Sequence, residues 1–419
     1  MYIPKKQYLC KLDLAINRLN YITLILIVAM VFGLSDFLTE RVPALQKAVY
    51  VLAFTTIYVL FTIKYYYGGD ILNYHNHYVW IGTISEVWHN PSEYTYEIGY
   101  SLLCALLNSW GVPLYGVTAI ISTIYFIAIW LLFKQIPRKR SFALMLLVVL
   151  DYNLIFAAFR QCLAVSFFIF MILCLQKRKY FLAVVWAVLS ASMHKSGIFV
   201  VTLCLLAYPL HNLRVRPIVF QILMFILGVM LLLPVSHIAT GTLNILTTGT
   251  MSSLTHHLQL GKQIQSIWAV YAMLIVCTEY YLHYHESRWN TLATAAIAGI
   301  ALIAVSYQYY YLLNRVRSYF VPLIIVWVFQ LIQEAEDQGT TIPYAALLKQ
   351  TGCVLLFAFC IHTTIVFTQK AKELHAPIYD VCTLFDLRDG NIEAVKEKQL
   401  NKARLFWKED FMQHENNML

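Results

Sequence analysis

Apolar runs long enough to cross a bilayer recur along almost the whole chain, and that repetition leaves few folds open. Hydrocarbon offers no partner to a backbone N–H or C=O, so each run must satisfy its own hydrogen bonds as a helix. Runs near 21–35, 44–64, 112–133, 141–157, 159–175, 180–193, 195–210, 218–235, 266–283, 289–306, 318–333 and 350–367 read as crossings, several of them short. The stretch 98–111 (IGYSLLCALLNSWG) suits a re-entrant or interfacial helix better than a full crossing. Of 419 residues 60% are hydrophobic and only 13% charged, and the mean hydropathy is +0.63. A soluble domain carries about 25% charge. The expected fold is therefore an all-α polytopic integral membrane protein of roughly 12–13 transmembrane helices.

The first run, Tyr21–Leu34, follows Lys5, Lys6, Lys11 and Arg18 without a small-residue cleavage site, so it reads as a retained span. Orientation comes from short basic loops, which stay cytoplasmic. KQIPRKR (134–140), QKRK (176–179) and HNLRVRP (211–217) are such loops. The turns between them, with loop 65–97, the loop 236–265 and YQYYYLLNRVR (307–317), then face outside. The basic residues before the first span argue the other way for the N-terminus; an outside loop 65–97 requires that 98–111 does not cross. On this reading residues 1–368 form one transmembrane domain with an outward-facing cavity. Residues 369–419 form a charged tail whose NIEAVKEKQLNKARLFWKED stretch has helical spacing suited to a membrane surface. The net charge of +9 reads as topology and contact with anionic membrane lipids, not as nucleic-acid binding.

Three arginines need another account. Arg160 is flanked by apolar residues on both sides, and Arg315 and Arg317 open a further apolar run. A charged side chain at mid-bilayer costs roughly 2.5–3.5 kcal/mol on insertion scales, so such residues read as functional. Guanidinium forks grip phosphate oxygens two at a time, which makes Arg160, Arg315 and Arg317 candidate diphosphate ligands, with Lys195 adding charge. Arg315 and Arg317 face different ways on one helix; Arg315 is expected inward and Arg317 at the entrance. Snorkelling or ordinary pairing with an acid are the plainer readings. His194, at a hairpin tip between two apolar runs, suits proton transfer, phosphate binding or a simple turn.

The segment 65–100 (YYYGGDILNYHNHYVWIGTISEVWHNPSEYTYEIGY) is rich in aromatics and sugar-bonding groups. Tyr74, His75, His77 and Trp80 are candidate glycan contacts; the aromatics fit an interfacial belt equally well. Asp70 and Glu97 each abut an apolar run and, with His194, are the candidate catalytic bases. The pairs His75/His77 and His283/His285 lack a third ligand at metal spacing, so no metal and no cofactor is expected. The nine cysteines are scattered without a CxxC pair. No Walker loop, GxSxG, HExxH, dinucleotide fingerprint or DxD-like pair is present, which argues against a cytosolic nucleotide-sugar enzyme.

The ordered set GGDILNYHNHY, EIGY, FRQCLAVSFF, MHKSGIFV and NRVRSYFVP resembles the EpsG family of bacterial Wzy-type polysaccharide polymerases over about residues 50–325. Lys64 stands where that family often has an arginine, and the tail after 369 lies outside the resemblance. The resemblance implies a GT-C-like fold in the bacterial inner membrane, with the active site toward the periplasm. It implies a donor glycan on undecaprenyl diphosphate, an acceptor hydroxyl on another lipid-linked repeat unit, as in O-antigen or capsule synthesis, and a separate chain-length co-polymerase as partner. An O-antigen ligase is the near alternative. A lipid-linked glycan transporter or flippase is the distant one, weakened by the absence of internal repeats.

Overall fold

A computed structural model of the chain describes residues 21–68, 70–208, 291–306, 310–337, 382–387 and 392–416, with a few isolated positions besides. The expected runs at 218–235, 266–283 and 350–367 lie outside the described residues. In chain order the elements are α1 (Tyr21–Leu38), α2 (Pro43–Thr62), β1 (Lys64–Tyr65), α3 (Ile71–Val79), α4 (Ile84–His89), α5 (Ile98–Ser109), α6 (Leu114–Phe133), α7 (Arg140–Ala157), α8 (Phe159–Gln176), α9 (Tyr180–Met193), α10 (Lys195–Ala207), α11 (Thr291–Ser306), α12 (Tyr310–Asp337), β2 (Cys382–Thr383) and α13 (Ile392–Asn416). Among the described residues four helices are long and apolar enough to cross a membrane: Pro43–Thr62, Leu114–Phe133, Phe159–Gln176 and the Arg315–Glu334 part of α12. Shorter apolar helices accompany them. The chain is an all-α polytopic membrane protein.

The described chain divides into two compact units. The first holds Met1–Thr123, Lys139–Phe159 and Gln350–Leu419. Here α1 and α7 run antiparallel in close contact. Gly33 permits this, since a Cβ there would sit 2.7 Å from the Met145 sulfur. At one end of the pair Asp36 is fully buried, and its Oδ2 accepts the N–H of Phe142 at 2.9 Å. The first N–H groups of a helix have no partner of their own, so the carboxylate of α1 caps α7 from across the interface. Glu40 pairs with Lys139 at 3.3 Å, and the Lys139 ammonium lies 4.8 Å over the Phe37 ring. The turn after α1 therefore shares a face with the basic residues that open α7.

The opposite end of this unit carries the aromatic loop. After α2 the backbone turns through Tyr66 (φ 45°) and Gly68 (φ 104°), both left-handed. Gly68 also lies against Ala157 at the far end of α7, where a Cβ would come within 3.1 Å of the alanine methyl. A side chain at Gly68 would meet strain and a neighbour together. A helix rises 1.5 Å per residue, so α2 is about 30 Å long and separates the two ends by a bilayer's thickness. β1 pairs antiparallel with β2, Lys64 opposite Thr383 and Tyr65 opposite Cys382. The Leu384 N–H donates to the Ile63 carbonyl at 2.9 Å. Helix α13 packs on α3. This pairing requires an even number of crossings between the two strands. The ten runs expected between them meet that condition only if 98–111 does not cross.

The second unit holds Ile124–Arg138 and Arg160–Lys349. α9 and α10 form a tight hairpin in which a Cβ on Gly197 would stand 2.5 Å from the Ser190 carbonyl oxygen. The Ser190 hydroxyl donates to the Ala164 carbonyl at 2.7 Å, tying α9 to α8. Phe168 of α8 meets Tyr319 and Phe320 edge-on, with ring centroids 5.5 and 5.6 Å away. Gly299 lets α11 lie directly against Phe320. Helix α12 begins at Tyr310, not at the expected 318, so Arg315 and Arg317 sit within a helix and not in a loop at its mouth.

Candidate functional site

Three of the segments singled out in the sequence meet along one turn of α12. Gln161 follows Arg160 at the start of α8 and is buried; its Nε2 donates to the Arg315 carbonyl at 2.6 Å. One turn on, the Tyr319 hydroxyl lies 3.1 Å from Ser196 Oγ, at the start of α10. Arg315 and Tyr319 are four residues apart and share a helix face. Arg160 and Arg317 are half-buried and Arg315 is exposed. The Arg317 Nε is buried and has no hydrogen-bond partner among the described residues. The expected order of these two arginines is reversed, with Arg317 the more enclosed.

The electrostatics favour an anion. The amino ends of α8 and α10 bring the positive pole of the helix dipole. None of α8, α10 and α12 carries an acidic residue in its first turn. His194 is buried and is the N-cap of α10, its Nδ1 accepting the Ser196 N–H at 3.2 Å. The Ser196 hydroxyl lies 2.6 Å from the same nitrogen. Lys195 is exposed beside them.

The carboxylate and aromatic candidates belong to the first unit. Asp70 is exposed at the N-cap of α3, and Glu97, half-buried, is the N-cap of α5; neither carboxylate caps its own helix. Tyr74 is buried, its ring 5.0 Å from Phe159, 5.5 Å from Tyr96 and 5.9 Å from Tyr100. That contact set commits Tyr74 to packing. His77 stacks on Tyr100 at 6.0 Å and lies 3.3 Å from the Ser101 hydroxyl. His75 meets the Tyr66 ring edge-on at 5.6 Å. Burial, then the Lys396 ammonium on α13, hold the His75 pKa below the usual histidine value. Trp80 is 82% exposed, the one glycan candidate with an open ring face. Among the described residues no three metal-ligating side chains gather; His283 and His285 lie outside them.

Gln161, Ser196, Gly197 and Tyr319 were not singled out in the sequence. Of these only Ser196 and Gly197 had a signal, as the polar and small residues of the HKSG tip.

Residues 47–373 match the EpsG family. The chain belongs to the EpsG family. No curated protein and no solved structure matches it. The matched region contains every candidate named above. EpsG membership gives the chain a polysaccharide polymerase-like function in the membrane. β2 and α13 lie beyond the EpsG match, yet they dock on the loop that carries Asp70.

Proposed function

We propose that this EpsG-family protein polymerises lipid-linked polysaccharide repeat units without a metal, at the outer face of a bacterial inner membrane. The donor is a growing glycan on undecaprenyl diphosphate, and the acceptor is a hydroxyl of another lipid-linked repeat unit. The acceptor oxygen bonds to the anomeric carbon as the glycosidic C–O bond breaks, and undecaprenyl diphosphate leaves with the electron pair.

One observation supports this reading: the starts of α8 and α10, which carry Arg160 and Lys195, each hydrogen-bond through a neighbouring side chain to the turn of α12 that includes Arg317, and none of the three helices has an acid in its first turn. Negative charge grows on the leaving diphosphate, and fixed donors in a dry site stabilise it by about 3–4 kcal/mol each. Arg160, Arg315 and Arg317 take that role, with Lys195 attracting the anion. Asp70 takes the acceptor proton, with Glu97 the second candidate. Trp80 offers a face to the sugar, and His75 and His77 offer polar contacts. A chain-length co-polymerase would set when extension stops.

The test is a strain lacking the gene, complemented with wild type, Arg160→Lys or Arg317→Lys, with surface glycan resolved on a gel. Wild type should restore a ladder. The lysine variants should insert normally and leave a single repeat unit. Bare core with polymer held on the carrier would indicate a ligase, and repeat units trapped inside a flippase. Full ladders from both lysine variants would refute the diphosphate site.

A further inference from the structure

Helices of the second unit rise to different heights from one common layer. Gln135, Gln176 and Gln330 join α6, α8 and α12 there. The Gln135 and Gln176 side chains exchange hydrogen bonds at 2.9 and 3.1 Å, and Gln330 Nε2 donates to the Gln135 carbonyl at 3.2 Å. Lys177, Arg178 and Lys179 are exposed beside the layer, and Glu334 follows it one turn on along α12. Charge begins at that level, so the layer marks one edge of the hydrocarbon. A helix rises 1.5 Å per residue, and tilt only lowers the height it gains. From Gln330, α12 passes Arg317 at about 20 Å and reaches Tyr310 at about 30 Å, a full hydrocarbon thickness. The Lys179 N–H returns to the Cys174 carbonyl at 2.9 Å, so α9 starts level with the end of α8. α9 has 14 residues and α10 has 13, which puts their shared tip at about 20 Å. Two bonds across the unit agree with that height. Ser190 donates to Ala164, about 18 Å up α8, and Ser196 meets Tyr319, about 17 Å up α12. The hairpin thus stops about 10 Å short of the height that α12 reaches.

The short hairpin also presents a lipid-facing surface. Phe181, Val184 and Val188 of α9 and Ile198, Phe199 and Leu206 of α10 are each more than half exposed, and on each helix they share one side. This apolar surface ends at Lys195, exposed at the tip. A surface about 20 Å tall with charge at both ends does not match hydrocarbon of about 30 Å. Either the lysine is held among acyl chains at high cost, or the bilayer thins against the hairpin at a modest cost per ångström. We propose that the leaflet remote from the glutamine layer thins by about 10 Å where it meets α9 and α10, lowering its lipid phosphates to the level of Lys195 and Arg317. The partner is a phospholipid leaflet, and the hairpin's length sets the depth. The inference stands apart from the polymerase reading and adds to it: a lipid-linked diphosphate meets the arginines without leaving its leaflet.

Two measurements test it, both on the full chain in nanodiscs of dioleoylphosphatidylcholine. Electron cryomicroscopy should show the headgroup layer dipping by about 10 Å beside the hairpin. The second uses the photo-reactive residue p-benzoylphenylalanine, placed in turn at Ile198, one turn below the tip, and at Leu52, exposed midway along the 20-residue α2. Mass spectrometry of the lipid adducts locates the bonded acyl carbon. Ile198 should mark carbons near the glycerol, and Leu52 should mark chain ends. A flat headgroup layer, or Ile198 adducts at chain ends like those of Leu52, overturns this inference and leaves the polymerase reading standing. So does a dip that forms only after polyprenyl diphosphate is added, because the carrier and not the hairpin then sets the depth. A dip in phosphatidylcholine alone, in a protein that extends no lipid-linked repeat unit, upholds this inference and overturns the polymerase reading.

Discussion

Gly197→Ala separates packing from function at the hairpin tip. The added methyl carbon would stand 2.5 Å from the Ser190 carbonyl oxygen and 3.0 Å from its carbon, and both are backbone atoms that cannot rotate away. Ordinary contact begins near 3.4 Å, so the tip must open by about 0.9 Å. Overpacking of this kind costs about 1–3 kcal/mol. Alanine in place of glycine within a helix returns about 1 kcal/mol. The net loss of stability is then about 0–2 kcal/mol, too little to unfold the protein. The same opening shifts His194 and Ser196, 2.6 Å apart, relative to the Tyr319 hydroxyl 3.1 Å from Ser196. A displacement of about 1 Å in a reacting constellation costs on the order of a hundredfold in rate. Thermal unfolding in detergent should therefore change by a few degrees at most, while the surface glycan ladder collapses toward one repeat unit. A Gly197→Ala protein with a full ladder would show that the tip geometry does not govern the reaction.

Three further outcomes are expected. Asp36→Ala leaves the buried Phe142 N–H unpaired and should destabilise the first unit by about 1–3 kcal/mol, seen as a lower unfolding midpoint; an unchanged midpoint would refute the capping role. Tyr65→Cys places a thiol opposite Cys382, and a peptide linking the two positions should appear on mass spectrometry after oxidation; its absence would break the strand register. His75 has a folded pKa below its unfolded value, so the unfolded state takes up protons first as pH falls through about 6.5. Packing of α13 on α3 should therefore weaken from that pH downward and stay constant above it. Amide exchange of α13 should rise at pH 5.5, and His75→Gln should remove the effect.

The sequence announced elements that follow from local pattern. The longer apolar helices fall on the expected runs, α13 on the stretch with helical spacing, and α3 and α4 within the expected loop 65–97; MHKSG marked a hairpin tip because a polar triplet interrupts two apolar runs. Residues whose roles depend on a distant partner were silent. Gln161 and Tyr319 lie far in sequence from the groups they bond, and neither is unusual in its own segment. Asp36 gave no signal, because its partner is a backbone group on α7. The start of α12 was expected at 318 because charge depresses hydropathy at Arg315 and Arg317, where the helix in fact already runs from Tyr310. The β1–β2 pairing was invisible: two residues per strand give no alternation to read.

The short sheet also has a temporal consequence. β2 is synthesised after every intervening segment, so β1 waits with an unsatisfied edge while the rest of the molecule is threaded into the bilayer. The loop bearing Asp70 is thus finished last, although it is made early. A chain interrupted before Cys382 can insert its helices and still never seat that loop, so assembly is completed by a late clasp that nascent, partly built copies lack.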